Sequence, residues 1–264
     1  MNIDITEADF AAMENCAAIG IIGKRRTGKT TWARVIVHEL KERCNRFIAM
    51  CGNKDCTFEW KEVIPDLFVV EKSATYLQDL INYQNEKAEQ FGADGIPSQY
   101  HVVLIIDDCG FDQKFMYHKT LKDLMSNGRH YGIYCVFLLQ YLNQFHPQNR
   151  AQLDYVGLLH TNNVNHLKKV HIEYSPNCEL KLFRAILSTA TRDKGLCWID
   201  NTKHVEVGEQ VDVSNIHYKL PVFPPPSEPL CSEAVISFAN AKLSLQLLGN
   251  VNTREKQSEC IRLI

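Results

Sequence analysis

Gly23-Lys24-Arg25-Arg26-Thr27-Gly28-Lys29-Thr30 satisfies the spacing G-x-x-x-x-G-K-[ST]. Residues of these types in this order suit the handling of phosphate. The glycines let backbone N–H groups turn onto phosphate oxygens, and the first turn of a following helix adds partial positive charge. Lys29 then reaches the β- and γ-phosphates and the Thr30 hydroxyl ligates Mg²⁺. The contact set runs from Gly23 through Lys24, Arg25, Arg26, Thr27, Gly28, Lys29 and Thr30 to Thr31. A second chemical feature is Asp107-Asp108, which closes the apolar run His101-Val102-Val103-Leu104-Ile105-Ile106. A carboxylate pair ending a buried strand lies at the sheet edge where α/β proteins bind ligands. The first is expected to hold Mg²⁺, directly or through water, and the second to orient or deprotonate a water. Gln140 ends another apolar run and could sense a γ-phosphate if its strand lies between the other two. Arg129 and Arg150 are candidate arginine fingers, acting in a ring on a neighbour's nucleotide.

These residues need elements to hold them. Cys16–22 reads as a short strand before the glycine loop, and 31–40 as a helix with an apolar face after it, which is the context the phosphate loop requires. Further strands are expected at 46–51, 67–70, 101–108, 133–140, 155–160 and 196–200, with helices at 76–91 and 115–127 ended by Gly92 and Gly128. Strands alternating with helices predict an α/β fold with a mostly parallel central sheet flanked by helices. A whole strand and helix intervene between Lys29 and Asp107, the arrangement of hydrolytic phosphate-loop enzymes. The division expected is a core over 1–203 and a C-terminal extension over 204–264. That extension carries a proline-rich linker or surface arm at 222–229, a helix over 232–248 and a polar tail in the last ~15 residues.

The chain has 264 residues, 45% hydrophobic and 23% charged, with a net charge of −2. No global basic field exists, so a grip on nucleic acid must be local or transient. No apolar run reaches the roughly 18 residues of a membrane span, and the acidic start lacks a secretory signal pattern. The ten cysteines include no C-x-x-C pair and lie mostly in apolar segments, as expected of reduced thiols. Asn53-Lys54-Asp55 resembles a guanine-reading loop, but the aspartate that pattern needs is Cys56. Residues 166–171 read as a solvated helix face and a place for a phosphate-contacting patch.

Taken together, the loop GKRRTGKT, the strand VVLIIDD, the run NGRHYGIYCVFLLQ ending in Gln140, and HPQNRAQLDYVGLLH downstream resemble the poxvirus-type genome-packaging ATPases of large DNA viruses and virophages, a branch of the FtsK/HerA superfamily. The resemblance covers residues 14–202. It implies a RecA-like core of the ASCE type, ATP and Mg²⁺ as cofactors, and a pentameric or hexameric ring. In that ring ATP hydrolysis drives double-stranded DNA into a preformed capsid, with capsid or portal-vertex proteins as partners. The expected location is the host cytoplasm at virus assembly sites or the virion, without secretion. Lys29, Thr30, Asp107, Asp108, Gln140 and one of Arg129 and Arg150 inherit the family's roles. One departure is Asp108, where many FtsK/HerA members carry Glu. Other classes that use the same loop are a nucleoside or small-molecule kinase, a nucleotide-binding switch and a plasmid or conjugative DNA-transfer motor.

Overall fold

Apolar runs buried on both faces form the strands, and helical crossovers carry the chain from the end of one parallel strand to the start of the next. In a computed structural model, residues 5–92, 95–203, 212–221 and 223–248 are described, with side chains of the last helix described to residue 243. The order is β1 (Ala18–Ile22), α1 (Lys29–Glu39), β2 (Arg46–Cys51), α2 (Lys54–Lys61), β3 (Val69–Glu71), α3 (Ala74–Phe91), β4 (Val102–Asp107), α4 (Gln113–Met116), α5 (Lys119–Asn127), β5 (Ile133–Leu139), α6 (Pro147–Arg150), β6 (Tyr155–Leu158), α7 (Val164–Tyr174), α8 (Leu180–Ala190), β7 (Leu196–Asp200), β8 (Ile216–Lys219) and α9 (Glu233–Leu248). They build one sheet in the order β3-β2-β4-β5-β1-β6-β7-β8.

The five pairings from β3 through β6 are parallel. Every residue of β1, β4 and β5 is buried, as central parallel strands covered by helices on both faces require. Beyond β6 the direction reverses, and β7 and β8 each pair antiparallel with the preceding strand. Path parity explains the switch. Each earlier connection, the short α4 and α5 together included, carries the chain back to the starting edge of the strands, whereas the pair α7–α8 returns it to the edge it left. The α8–β7 loop therefore emerges at the same edge as the glycine loop.

The expected helix over 115–127 is broken. Asp112 caps α4 by accepting from Phe115 N at 3.0 Å, and His118 takes an extended conformation and caps α5 through Thr120 N at 3.3 Å. α3 runs to Gly92 as expected, capped by Ser73, whose hydroxyl accepts from Tyr76 N. Its buried Gln84 donates to Tyr100 O and Tyr131 O, tying the helix to the entrances of β4 and β5. α7 is amphipathic: Lys168 and Lys169 keep the exposed face expected, while His166, Leu167, Val170 and Tyr174 pack inward and His166 Nε2 accepts from Leu142 N. Strand β8, which sequence patterning missed, adds residues 216–219 of the expected extension to the sheet, so the 203/204 division does not coincide with a sheet edge. The last helix falls where expected, and residues 249–264 lie outside the described residues. No helix among the described residues is long and apolar enough to cross a membrane.

Candidate active site

The glycine loop leaves the sheet between two neighbours of β1. Gly23 N donates to Leu139 O at 3.0 Å, and Leu159 N donates to Ile22 O at 2.9 Å. Within the loop, Thr27 Oγ1 and Lys29 Nζ both donate to Lys24 O, at 2.7 and 3.0 Å. Gly28 sits at φ +95° with open space where a Cβ would stand, so its backbone conformation requires glycine. No side chain caps α1, which leaves the N–H groups of its first turn for a ligand. A cleft of about 460 Å³ opens there, lined by Arg26, Lys29, Thr30 and Thr31 on one side and by Glu59, Glu62 and Pro225 on the other. Burial lowers the Lys29 pKa, and Asp107 and Asp108 partly offset it. A half-desolvated ammonium facing two carboxylates is suited to exchange its Lys24 contact for phosphate oxygens.

Asp107 closes β4 and is 4% exposed. Trp60 Nε1 on α2 donates to its Oδ2 at 3.0 Å. Burial pushes its carboxyl up to about 6, against the pull of the Trp60 N–H and of Lys29. Asp108 follows in the left-handed region at φ +51°. Gln140 Nε2 donates to Asp108 Oδ1 at 3.2 Å, and Asn53 Nδ2 donates to Asp108 Oδ2. Gln140 itself is held by Gln144, whose Oε1 accepts from the backbone N–H groups of Gln140 and Tyr141. The backbones meet closely here: a Cβ on Gly52 would overlap Asp108 O.

Since β5 lies between β1 and β4, the structure brings Gln140 together with Lys29, Asp107 and Asp108 at one edge. Thr30 lines the cleft at the start of α1, and Asp107 lies within electrostatic reach of Lys29 beside it. Their hydroxyl and carboxylate are hard oxygen donors of the class Mg²⁺ takes, and too few to hold it without phosphate oxygens. They fit that ion.

The two arginines fall elsewhere. Arg129 follows α5, at the edge where the strands begin, and is more than half exposed. Its guanidinium pairs with Asp154, whose other oxygen accepts from Ala18 N. Arg150 is 14% exposed, with Nε donating to Phe145 O at 2.9 Å and Nη1 3.6 Å from Glu173.

Sequence reading missed Asn53, Trp60, Glu59 and Gln144. The signal for Asn53 is a capping residue directly after an apolar strand at the ligand-binding edge, obscured by the failed guanine pattern. Asn53 Oδ1 accepts from Cys56 N at 3.0 Å, so the side chain both caps α2 and holds Asp108. Asn53→Ala is expected to cost about 1 kcal/mol of stability from the lost cap, lowering the melting temperature by roughly 2–4 °C. Thermal denaturation of the two proteins checks it, and an unchanged midpoint would remove the cap from the account.

The family model described as "Poxvirus A32 protein" matches residues 11–212. An uncharacterized protein of Frog virus 3 (isolate Goorha) is 27% identical over 183 residues, covering 69% of this chain and 56% of that protein. The match thus spans little more than half of that relative. Among solved structures, the DNA-packaging ATPase B204 of Sulfolobus Turreted Icosahedral Virus superposes with a TM-score of 0.57 at 16% identity, covering 80% of this chain and all of that one. The genome packaging NTPase B204 of Sulfolobus turreted icosahedral virus 2, in complex with ATP-gammaS, gives 0.54 at 16% identity with the same coverage. At such identities the likeness shows the fold alone, an α/β core with a mostly parallel sheet. With three quarters of its length matched by the family model, the chain belongs to the poxvirus A32 protein family.

Proposed function

We propose that this chain is the ATP-driven motor that moves double-stranded DNA into a preformed viral capsid, working as a homo-oligomeric ring. The observation that carries the reading is Gln140, placed by β5 between β1 and β4 and bonded to Asp108. A residue there can feel the γ-phosphate from one side and the water-handling carboxylate from the other. In this reading the α1 N-terminus and Lys29 bind the phosphates. Asp108, held by Asn53 and Gln140, orients the attacking water and accepts its proton. Thr30 and Asp107 would hold Mg²⁺, which when bound would supply charge neutralisation to the phosphates. A kinase shares the loop, but the strand inserted between β1 and β4 speaks for hydrolysis.

Arg129 is the better trans finger of the two. Arg150 is largely buried against Phe145 and Glu173, whereas Arg129, paired with Asp154, still leaves more than half of its side chain exposed at the sheet edge opposite the phosphate loop. Head-to-tail subunits in a ring juxtapose unlike surfaces of this kind. Arg129→Ala is expected to cut turnover on the order of 10³-fold and leave nucleotide affinity unchanged. Mixing it with Lys29→Ala should restore part of the turnover, because an intact loop then meets an intact finger across the mixed interface. Mixtures as inactive as either variant, or weakened nucleotide binding by Arg129→Ala alone, would place Arg129 within its own subunit.

A further inference from the structure

The nucleotide has a direction in this site. Asp107, Asp108 and Gln140 lie on the β4–β5 side of the phosphate loop, so the γ-phosphate end points that way and the nucleoside must leave on the β6–β7 side. There a second cleft, of about 440 Å³, opens between Arg26 and Thr27 of the loop and the α8–β7 connection, Thr191 to Gly195. Arg26 lines both clefts, which makes them adjoining. The α8–β7 connection is held in an uncommon shape: Asp193 and Lys194 are consecutive non-glycine residues in the left-handed region, at φ +51° and +66°. Trp32 Nε1 of α1 fixes it by donating to Lys194 O at 3.0 Å. Backbone held in this region against its preference occurs where surroundings over-determine it, often around ligands.

The proline-rich arm meets both clefts. Lys194 Nζ stands 5.2 Å from the centroid of the Phe223 ring, at the rim of the second cleft. Two residues on, Pro225 lines the first. The arm is seated rather than loose: Glu228 pairs with Lys41 at 3.5 Å, Leu230 N donates to Val63 O at 2.9 Å, and Leu230 and Cys231 are buried. Yet Phe223 leaves 54% of its surface exposed. An aromatic ring anchored at that rim, with a cation already over it, is a stacking surface on the side away from Asp107, Asp108 and Gln140.

We infer that Phe223 of the C-terminal arm, with the Arg192–Gly195 loop, forms the subsite for the base and ribose of a nucleoside triphosphate. This rests on the reading of the glycine loop as the triphosphate site and extends it to residues beyond the stretch matched by the family model, which ends at 212. Stacking on a ring face does not read base edges, so the arm contributes affinity for nucleotides generally.

The test compares two probes on the full chain: ATP, and inorganic tripolyphosphate in competition with it. Phe223→Ala is expected to weaken ATP about tenfold, the loss of one base–aromatic stack, and to leave tripolyphosphate within twofold. Phe223→Trp, which keeps the stack, should retain ATP affinity. Equal weakening of both probes by Phe223→Ala, no weakening of either, or failure of Trp to retain affinity would each overturn the subsite. Lys29→Ala serves as the control and should weaken both probes. If it weakens neither, the triphosphate assignment fails instead, so the two failures are distinguishable.

Discussion

Lys29→Ala is expected to lower ATP turnover on the order of 10³-fold, the scale of removing a preorganised charge from a transferring phosphoryl group. The side chain is positioned for that loss to be specific. Its ammonium now rests on Lys24 O at 3.0 Å, while Thr27 Oγ1 holds the same carbonyl at 2.7 Å. Removing Lys29 therefore leaves the loop's internal contact in place. The N–H groups of α1 still meet phosphate, so binding should weaken less than turnover. Steady-state hydrolysis set beside a binding isotherm checks this. Undiminished turnover would sink the phosphate-loop assignment.

Asp107→Asn is expected to do two opposite things. Turnover should fall by a comparable factor, because a neutral amide is a poor ligand for the cation the site fits. Stability of the nucleotide-free protein should rise. Burial raises the Asp107 carboxyl to about 6 from an ordinary 3.8. Between those pH values the folded chain binds this proton more tightly than the unfolded chain does. The group's contribution is therefore most favourable below about pH 4 and declines as pH rises through 6. At pH 7 the ionised, buried carboxylate costs on the order of 2 kcal/mol, which the isosteric amide removes. Melting temperatures of the two proteins should differ by roughly 4–8 °C at pH 7 and converge near pH 4. An amide variant less stable than the parent at pH 7 would show that the Trp60 contact outweighs burial.

Much of this site was legible because local spacing encodes it. The glycine run, the strand before it and the helix after it are contiguous, and so are β4 and its two carboxylates. The placement of Gln140 was legible only as a condition, since it depends on β5 entering the sheet between β1 and β4. Nothing near Gln140 in the chain states that. Asn53, Trp60 and Glu59 were missed for a related reason. They arrive from β2 and α2, whose closeness to Asp107 is a product of sheet order rather than of sequence distance. The break at His118 was hidden because the apolar spacing of 115–127 continues through it while a side-chain cap restarts the helix. Strand β8 is four residues long, too short for alternation to register, and is defined by its partner β7. Arg150 read as a candidate arginine finger on a par with Arg129, because its partner Glu173 is brought to it only by α7 packing.

The central claim couples ATP turnover at this site to duplex DNA. Steady-state ATP hydrolysis by the full chain, measured with and without long double-stranded DNA and with Lys29→Ala as the blank, tests it most directly. The account predicts a rate raised several-fold or more by DNA and absent in the blank. A rate that depends on Lys29 but is identical with and without DNA would contradict the motor reading and direct the search to phosphate acceptors.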